Sequence, residues 1–592
     1  MSIAAIRLDA KGITREALTI PVDYASAATI PAGTVLDSQH AVDSLLASLG
    51  ASAFKYLQDV LDATPRFIAH AVTINLAAGV HRPRAADSGA DGVWKVQQRV
   101  SPQPYSETNA RITIKGAASS LWTAIVAAQT VTANQAGSND PYIDVAGTPF
   151  VAGAHKGHFA VLSTGQVAVI HDNTTSRLYL LPAISPALTN GVSTVTVARP
   201  STILRNSLDD ATSFNGGGLA PAVNVFSPAV AVAIEDVQID QFGAYAAILA
   251  DSTTSILRPT RVLVDPAFVK DSLGYAFTGG ARGVQINSGG AVVDGLSVRA
   301  ETQAAVPAAR AWHGMIFFGT DGRQSNVRRS YFRGGDTEET FPASGRMTAS
   351  LTACVVEGAR GILVERSAAL QVFSPGSGKH STVRGATLAP ALHLAGESVL
   401  REIAGKLLFE GVVGQPCVKA QDSATVIMPP YDSTTQALEN GTLTNTDVGI
   451  EVADAAVVRL PSTTTVSGTA GQVRANGAIK TYAQIADARG AGPFAGGLSG
   501  VALAEIVEDG TAVGNGTVAF TLAGTLLAYT APGDSAGASV AAAAPGTYLL
   551  ASANGKKARV VLLAVPGGDT SDTFPISKAA VRTVGGGSIY RA

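Results

Sequence analysis

The segments Val364-Glu365-Arg366-Ser367-Ala368-Ala369-Leu370, Leu394-Ala395-Gly396-Glu397-Ser398-Val399-Leu400 and Val452-Ala453-Asp454-Ala455-Ala456-Val457-Val458 share one plan. An apolar residue closes one alternating run, a small residue stands four positions on, and a second alternation follows. Period-two alternation marks a strand with one buried face, and a small residue between two such runs marks a tight turn. Ile248 with Ser252 and Ile256, Ile286 with Gly290 and Val292, and Val418 with Ser423 and Val426 read the same way. Each unit buries little alone and must stack on its neighbours. Anchors from Val364 lie 30, 24 and 34 residues apart, so a cross-section persists while loops of unequal length leave it. Propellers and leucine-rich arrays keep a tighter period. Ordinary β-sandwiches are the alternative, but they turn on Asn-Gly and Asp-Gly hairpins, which are scarce between 220 and 485. The pattern predicts an all-β chain built on a right-handed parallel β-helix.

Outward from that core, the organisation changes at both ends. Residues 1–36 show no helical period and read as an extended leader. Asp37 is the expected cap of a helix carrying Val42, Leu45, Leu46 and Leu49, stopped by Gly50; a second helix carries Phe54, Leu57, Val60 and Leu61 before Pro65. The period then shifts to two at Val72, Ile74 and Leu76, with Gly79 ending that strand. Residues 120–203 read as a small inserted β module. The Gly-rich stretch 490–497 reads as a linker, and about 500–592, with Asn515-Gly516 and Asn554-Gly555, as an antiparallel, sandwich-like domain. The expected divisions are 1–50 for a leader and helix, 51–485 for the coil, 486–499 for the linker and 500–592 for the last domain.

Composition narrows the function. Charged residues make up 15% of the 592, against about 25% in ordinary domains. With 43 Lys and Arg against 45 Asp and Glu, the formal net charge is -2, which leaves no electrostatic footprint for nucleic acid. The first nine residues lack the basic and apolar regions of a secretory signal, and no apolar run reaches spanning length, so membrane insertion is not expected. Cys354 and Cys417 stand alone and read as buried apolar residues. The nine histidines show neither HxH nor HExxH spacing, so neither metal nor cofactor is expected. Gly216-Gly217-Gly218 lacks the following Lys-Ser or Lys-Thr of a phosphate loop.

The runs Tyr56-Leu57-Gln58-Asp59-Val60-Leu61-Asp62, Val72-Thr73-Ile74-Asn75-Leu76-Ala77-Ala78-Gly79 and Arg111-Ile112-Thr113-Ile114-Lys115-Gly116 resemble the opening of the pectin-lyase-like right-handed β-helix family. The resemblance covers roughly residues 51–485. It implies an N-terminal helix capping the coil. Among members it is similar to bacteriophage tailspikes and tail fibres, which implies a homotrimer in a virion tail or phage-like particle. The N-terminus would then bind tail or baseplate proteins, and the rest would contact host cell-surface polysaccharide. The same coil also serves polysaccharide depolymerases, hydrolases or lyases, so the alternative function is enzymatic. The family's catalytic motifs are absent here, so the resemblance itself assigns no catalytic residue.

Glycoside hydrolysis needs a proton donor and a second carboxylate converging on one groove. The densest acidic cluster is Asp336, Glu338 and Glu339, with Asp321 upstream; these are the candidate acids and bases, and a solvated loop is the bland alternative. Trp312, His313 and Arg323 are the candidate glycan contacts beside them. Trp94 and Trp122 could stack on sugars too, although core packing accounts for isolated tryptophans. Glu357 and Glu365 read as solvent-facing, and Asp534 and Asp569 as turn residues.

Overall fold

The computed structural model describes residues 13–84, 93–100, 111–117, 121–137, 140–206, 221–226, 230–240, 246–265, 281–299, 312–319, 324–334, 338–373, 375–376, 378–403, 407–427, 448–454, 456–460, 471–475, 478–480, 504–505, 515–521, 526–531, 533–541, 546–562, 572–577 and 588–591. Two compact units are present: Met1–Ile362 with Phe373–Thr382, and Leu363–Val372 with Val383–Ala592.

In the first unit the turns of the chain build three parallel faces, and the long strands Ala246–Thr260 and Ala281–Asp294 each run through two of them. One face aligns Val96, Val225, Ala250, Ile286, Phe317 and Ala343. A second aligns Val72, Ile112, Val232, Leu257 and Ala291. The third aligns Leu204, Ile239, Val264, Val298, Phe332 and Val356. Every residue in these columns is buried. The fold is therefore the parallel β-helix, because like side chains stack above one another and each strand hydrogen-bonds its neighbours on both edges. At about 25 cal/mol per Å² of apolar area removed from water, such continuous columns are the main favourable term.

The coil starts earlier than the alternation alone predicts. Leu18–Val22 pairs in parallel with Val72–Leu76, so part of the expected leader is a coil strand with alternating burial. Pro21 is tolerated there because an edge strand leaves one row of amides without a ladder partner to lose. Two helices follow. In α1, Gln39–Ser48, the cap is Ser38 and not Asp37: the Ser38 hydroxyl accepts from the Ala41 amide. Asp37 instead pairs with Arg15 at 2.9 Å. Gly50 stands just past the helix with φ 61°, as expected of a stop. Helix α2, Leu57–Ala63, excludes Phe54, which forms a bridge to Val22. Gln58 of α2 accepts from the Lys95 amide at 2.8 Å, and Gln98 donates to the Leu61 carbonyl at 2.7 Å. The helix thus covers backbone groups that a bare strand would expose to another chain. Gly79 opens the next strand, Gly79–His81, rather than closing the previous one.

Between the coil strands Arg111–Lys115 and Thr202–Arg205 the chain leaves to form the inserted module, a closed antiparallel six-stranded barrel. Its strands are Trp122–Gln135, Tyr142–Val145, Phe159–Leu162, Val167–Asn173, Arg177–Leu180 and Thr194–Pro200. Ile143, Leu162, Ile170, Leu178, Leu180, Val195 and Val197 fill it.

In the second unit the coil continues by the same rule. Leu392, Val418 and Ile450 align on one face; Leu370, Leu400, Val426 and Val458 align on another. Leu394, Ala420 and Val452 share a column, so the third repeat is framed two residues later than the Val418 anchor supposes. Two antiparallel sheets follow. One joins Gly546–Ala551, Lys557–Leu562 and Ala504–Glu505; the other joins Val540–Ala541, Leu526–Thr530, Asn515–Thr521 and Asp572–Ser577. Asn554-Gly555 lies in the hairpin, with Gly555 at φ 78°, whereas Asn515 begins a strand. The last strand, Ser588–Arg591, returns to the coil and pairs in parallel with Val457–Leu460. The 490–497 linker, Asp569 and Gly216-Gly217-Gly218 lie outside the described residues.

Candidate functional site

Of the sequence-selected residues, Asp321, Arg323 and Asp336 lie outside the described residues, as does the side chain of Trp312, whose backbone pairs with Ala281. His313, Glu338 and Glu339 come together. His313 is 8% exposed on the strand Trp312–Gly319. Its Nδ1–H donates to the Glu339 carbonyl at 2.6 Å, and its Nε2 lies 3.9 Å from Glu338 Oε2. Burial pushes the imidazole below the ordinary histidine value; the Glu339 bond and Glu338 pull upward, and Arg282 adds to the fall. A neutral His313 therefore meets a half-exposed Glu338 carboxylate at neutral pH. The Glu339 carboxylate turns toward Arg360, 3.7 Å away.

The register of the coil adds partners that the sequence does not single out. Arg282 sits beside His313 on the neighbouring strand. Along that strand Arg282 donates to Gln285 Oε1, and Gln285 donates to Asn287 Oδ1. Asn287 donates to Asp251 of the preceding turn at 3.1 Å. The result is one hydrogen-bonded row, Asp251, Asn287, Gln285 and Arg282, with His313 beside Arg282 in register and Glu338, Glu339 and Arg360 beyond it. Each amide in it has donors and acceptors fixed by a neighbour. Asp251 is exposed and Asn287 and Arg282 are half-buried, so these three can offer hydroxyl-rich ligands charge-assisted and neutral hydrogen bonds, while Gln285, 3% exposed, holds Arg282 and Asn287 in place from beneath.

The other candidates are structural. Trp94 is fully buried in a coil column, and Trp122 packs half-buried on Phe159 with ring centroids 5.0 Å apart. Glu357 is not simply solvent-facing, because Lys156 of the barrel donates to it at 3.1 Å. Asp534 accepts from the Ser535 and Asn554 amides and from the Asn554 side chain, which makes it a turn residue. Cys354 and Cys417 are buried thiols outside any disulfide, and burial pushes Cys354 up to about 12. Among the described residues no group of three or more His, Cys, Asp or Glu is placed to hold a metal ion, and no helix is long and apolar enough to cross a membrane.

No family model matches the chain, and no curated protein matches it. Among solved structures, the chain is similar to the tailspike gp49 of Pseudomonas phage LKA1 at 11% identity and a TM-score of 0.24, covering 94% of this chain and 100% of that one. The tailspike gp61 of Pseudomonas phage phi297 gives 9% and 0.23, over 94% and 99%. The gp54 tailspike of Acinetobacter baumannii bacteriophage AP22, solved with A. baumannii capsular saccharide, gives 10% and 0.19, over 93% and 99%. At these values the fold rests on the strand register described above.

Proposed function

We propose that this chain is a structural and receptor-binding appendage of a bacteriophage or phage-like contractile particle, of the tail-fibre or tailspike kind, which contacts host surface polysaccharide. The observation that carries the reading is the polar row from Asp251 to His313, built across successive turns of a parallel coil. A stacked coil supplies the stiffness of a shaft, because nearly every backbone group is paired within it. Exposed Asp251 with half-buried Asn287 and Arg282 along it suits the hydroxyls of a polysaccharide. In this reading three copies associate, the N-terminal part attaches to tail or baseplate proteins, and the protein resides in the virion tail.

The test is binding of the purified full chain to bacterial cells before and after periodate oxidation of their glycans. Periodate-sensitive binding that falls at least tenfold in Arg282→Ala/Asn287→Ala is expected; binding unchanged by both the oxidation and the substitutions sinks the row as the contact. Light scattering and an unboiled SDS gel test the trimer, for which a mass near three times 60.0 kDa is expected.

A second reading is a polysaccharide depolymerase on the same coil, favoured by the meeting of His313, Glu338, Glu339 and Arg360. Asp321, Asp336, Glu338 or Glu339 would then supply acid and base. Release of new reducing ends or unsaturated sugars from a bound polysaccharide, abolished by Glu338→Gln or Asp336→Asn, is its signature; binding without release leaves the recognition role alone.

A further inference from the structure

The inserted barrel is seated on the coil through a junction that holds two buried histidines. His155 and His158 are each 7% exposed, with ring centroids 6.1 Å apart. From the coil, Arg299 donates Nη1–H to His158 Nε2 at 2.6 Å and reaches Asp265 at 3.5 Å. The barrel backbone comes so close here that Gly157, at φ 78°, has Arg299 Cγ 2.6 Å and Ser297 Oγ 2.7 Å from where a Cβ would stand. Among the described residues, Nδ1 and Nε2 of His155 and Nδ1 of His158 have no hydrogen-bond partner. Burying unpaired polar atoms is costly, and a proton added to either ring would be a cation beside Arg299 with nowhere to hydrate.

We propose that this junction is an acid-released latch: proton uptake by His155 and His158 expels the 153–158 loop from the coil and frees the barrel on its two connections while the coil stays folded.

The charged groups facing the pair all bear on the sign. Arg299 from the coil and Arg199 from the barrel oppose a proton on His158, as His155 does. On the coil side Arg299, which donates to the His158 ring, is also the ion-pair partner of Asp265. Flanking pairs hold the same junction: Lys156 with Glu357 at 3.1 Å and Asp172 at 3.6 Å, and Lys379 with Asp140 at 3.6 Å. Burial, then Arg299, pushes docked His158 down to about 2, and the same two causes lower His155. Above the ordinary value of 6.5 both docked and released rings are neutral, and docking is pH-independent. Below it only the released rings take protons. Each pH unit then favours release by up to about tenfold per histidine, until the docked ring itself titrates.

The test is hydrogen exchange on the full chain at pH 7.5 and pH 5.0, read as protection factors so that intrinsic rates cancel. The lower pH lies above the ordinary carboxylate range of about 4, which isolates the imidazoles. A loss of at least tenfold in protection is expected across the 153–159 segment, with the coil strands Ala231–Glu235 and Val237–Asp240 unchanged. In His155→Phe/His158→Gln that loss should vanish, because neither replacement titrates and the glutamine oxygen can still accept from Arg299. Equal wild-type protection at the two pH values overturns the latch without any variant, as does a loss that includes the coil strands. A folded double variant that keeps the pH effect overturns it too.

Discussion

Asp236 and Arg261 occupy the same corner in successive turns of the coil, both with left-handed backbone at φ 58° and 50°. Arg261 donates Nε–H to one Asp236 oxygen at 2.5 Å and Nη2–H to the other at 2.8 Å. Arg329 and Asp294 repeat the fork in the next turns. The partners differ in burial: the Asp236 side chain is 0% exposed and that of Arg261 37%. Removing Arg261 strands a carboxylate away from water, whereas removing Asp236 leaves a guanidinium that can reach solvent. Arg261→Ala should therefore cost about 3 kcal/mol and Asp236→Ala only about 1 kcal/mol, read from the shift of the urea unfolding midpoint. Equal costs would mean that the pair is effectively solvated. Nothing in the sequence marks this pair, since the register that joins the two positions is a property of the coil.

The corners of the second unit explain which parts of the repeat were legible. Arg366-Ser367, Gly396-Glu397 and Asp422-Ser423 are consecutive left-handed pairs. They stack through Ser367 to Gly396, Glu397 to Asp422 and Ser423 to Asp454 backbone bonds of 2.9, 3.0 and 2.9 Å. Small residues just after the corner, Ala368, Ser398, Ala424 and Ala456, are buried, and that is the signal alternation detects. In the third repeat Ser423 and Ala424 are both small, so pattern alone frames the turn on Ser423, although Ser423 is the corner itself. At the site, Glu338 and Glu339 were legible as an acidic cluster near His313. Arg282, Gln285, Asn287 and Arg360 were not, because loops of unequal length decide which residues of neighbouring turns lie side by side. Glu397 is exposed and carries a side chain at φ 59°. A left-handed conformation costs an L-residue about 1–2 kcal/mol, and glycine returns part of that as chain entropy. Glu397→Gly should thus raise stability by about 0.5 kcal/mol. Gly396→Ala, at φ 60° and with the new methyl 3.3 Å from the Arg366 amide nitrogen, should lower it by about 1 kcal/mol. Reversed signs in thermal melts would remove the corner as a source of strain.

At the scale of the whole chain, the barrel is an insertion whose two ends meet. The coil is left after Gly116 and rejoined at Thr202, and the Ala117 amide donates to Thr202 Oγ1 at 3.1 Å. The same hydroxyl donates to the Ala77 carbonyl at 3.1 Å, so the gap is pinned by coil residues on both sides. Excising residues 118–200 and joining Ala117 to Ser201 through a Gly-Ser dipeptide leaves every parallel pairing of the three coil faces in place. The barrel nevertheless covers part of the coil: its Phe159, Val169 and Leu181 pack with Leu263, Tyr331 and Val355. Uncovering those three coil residues should cost about 4 kcal/mol, at 1.5 to 3 kcal/mol for each side chain fully exposed and less where exposure is partial. The shortened chain is expected to keep the β-rich circular dichroism of the coil, to melt at a lower temperature, and to bind an apolar dye that the full chain does not. Failure to recover folded protein even with Leu263→Thr and Val355→Thr, which make the uncovered face more polar, would show that the barrel is needed to form the coil. Recovery with an unchanged melting temperature would instead show that the apolar junction adds no stability to the coil, and that the barrel is carried by its polar contacts alone.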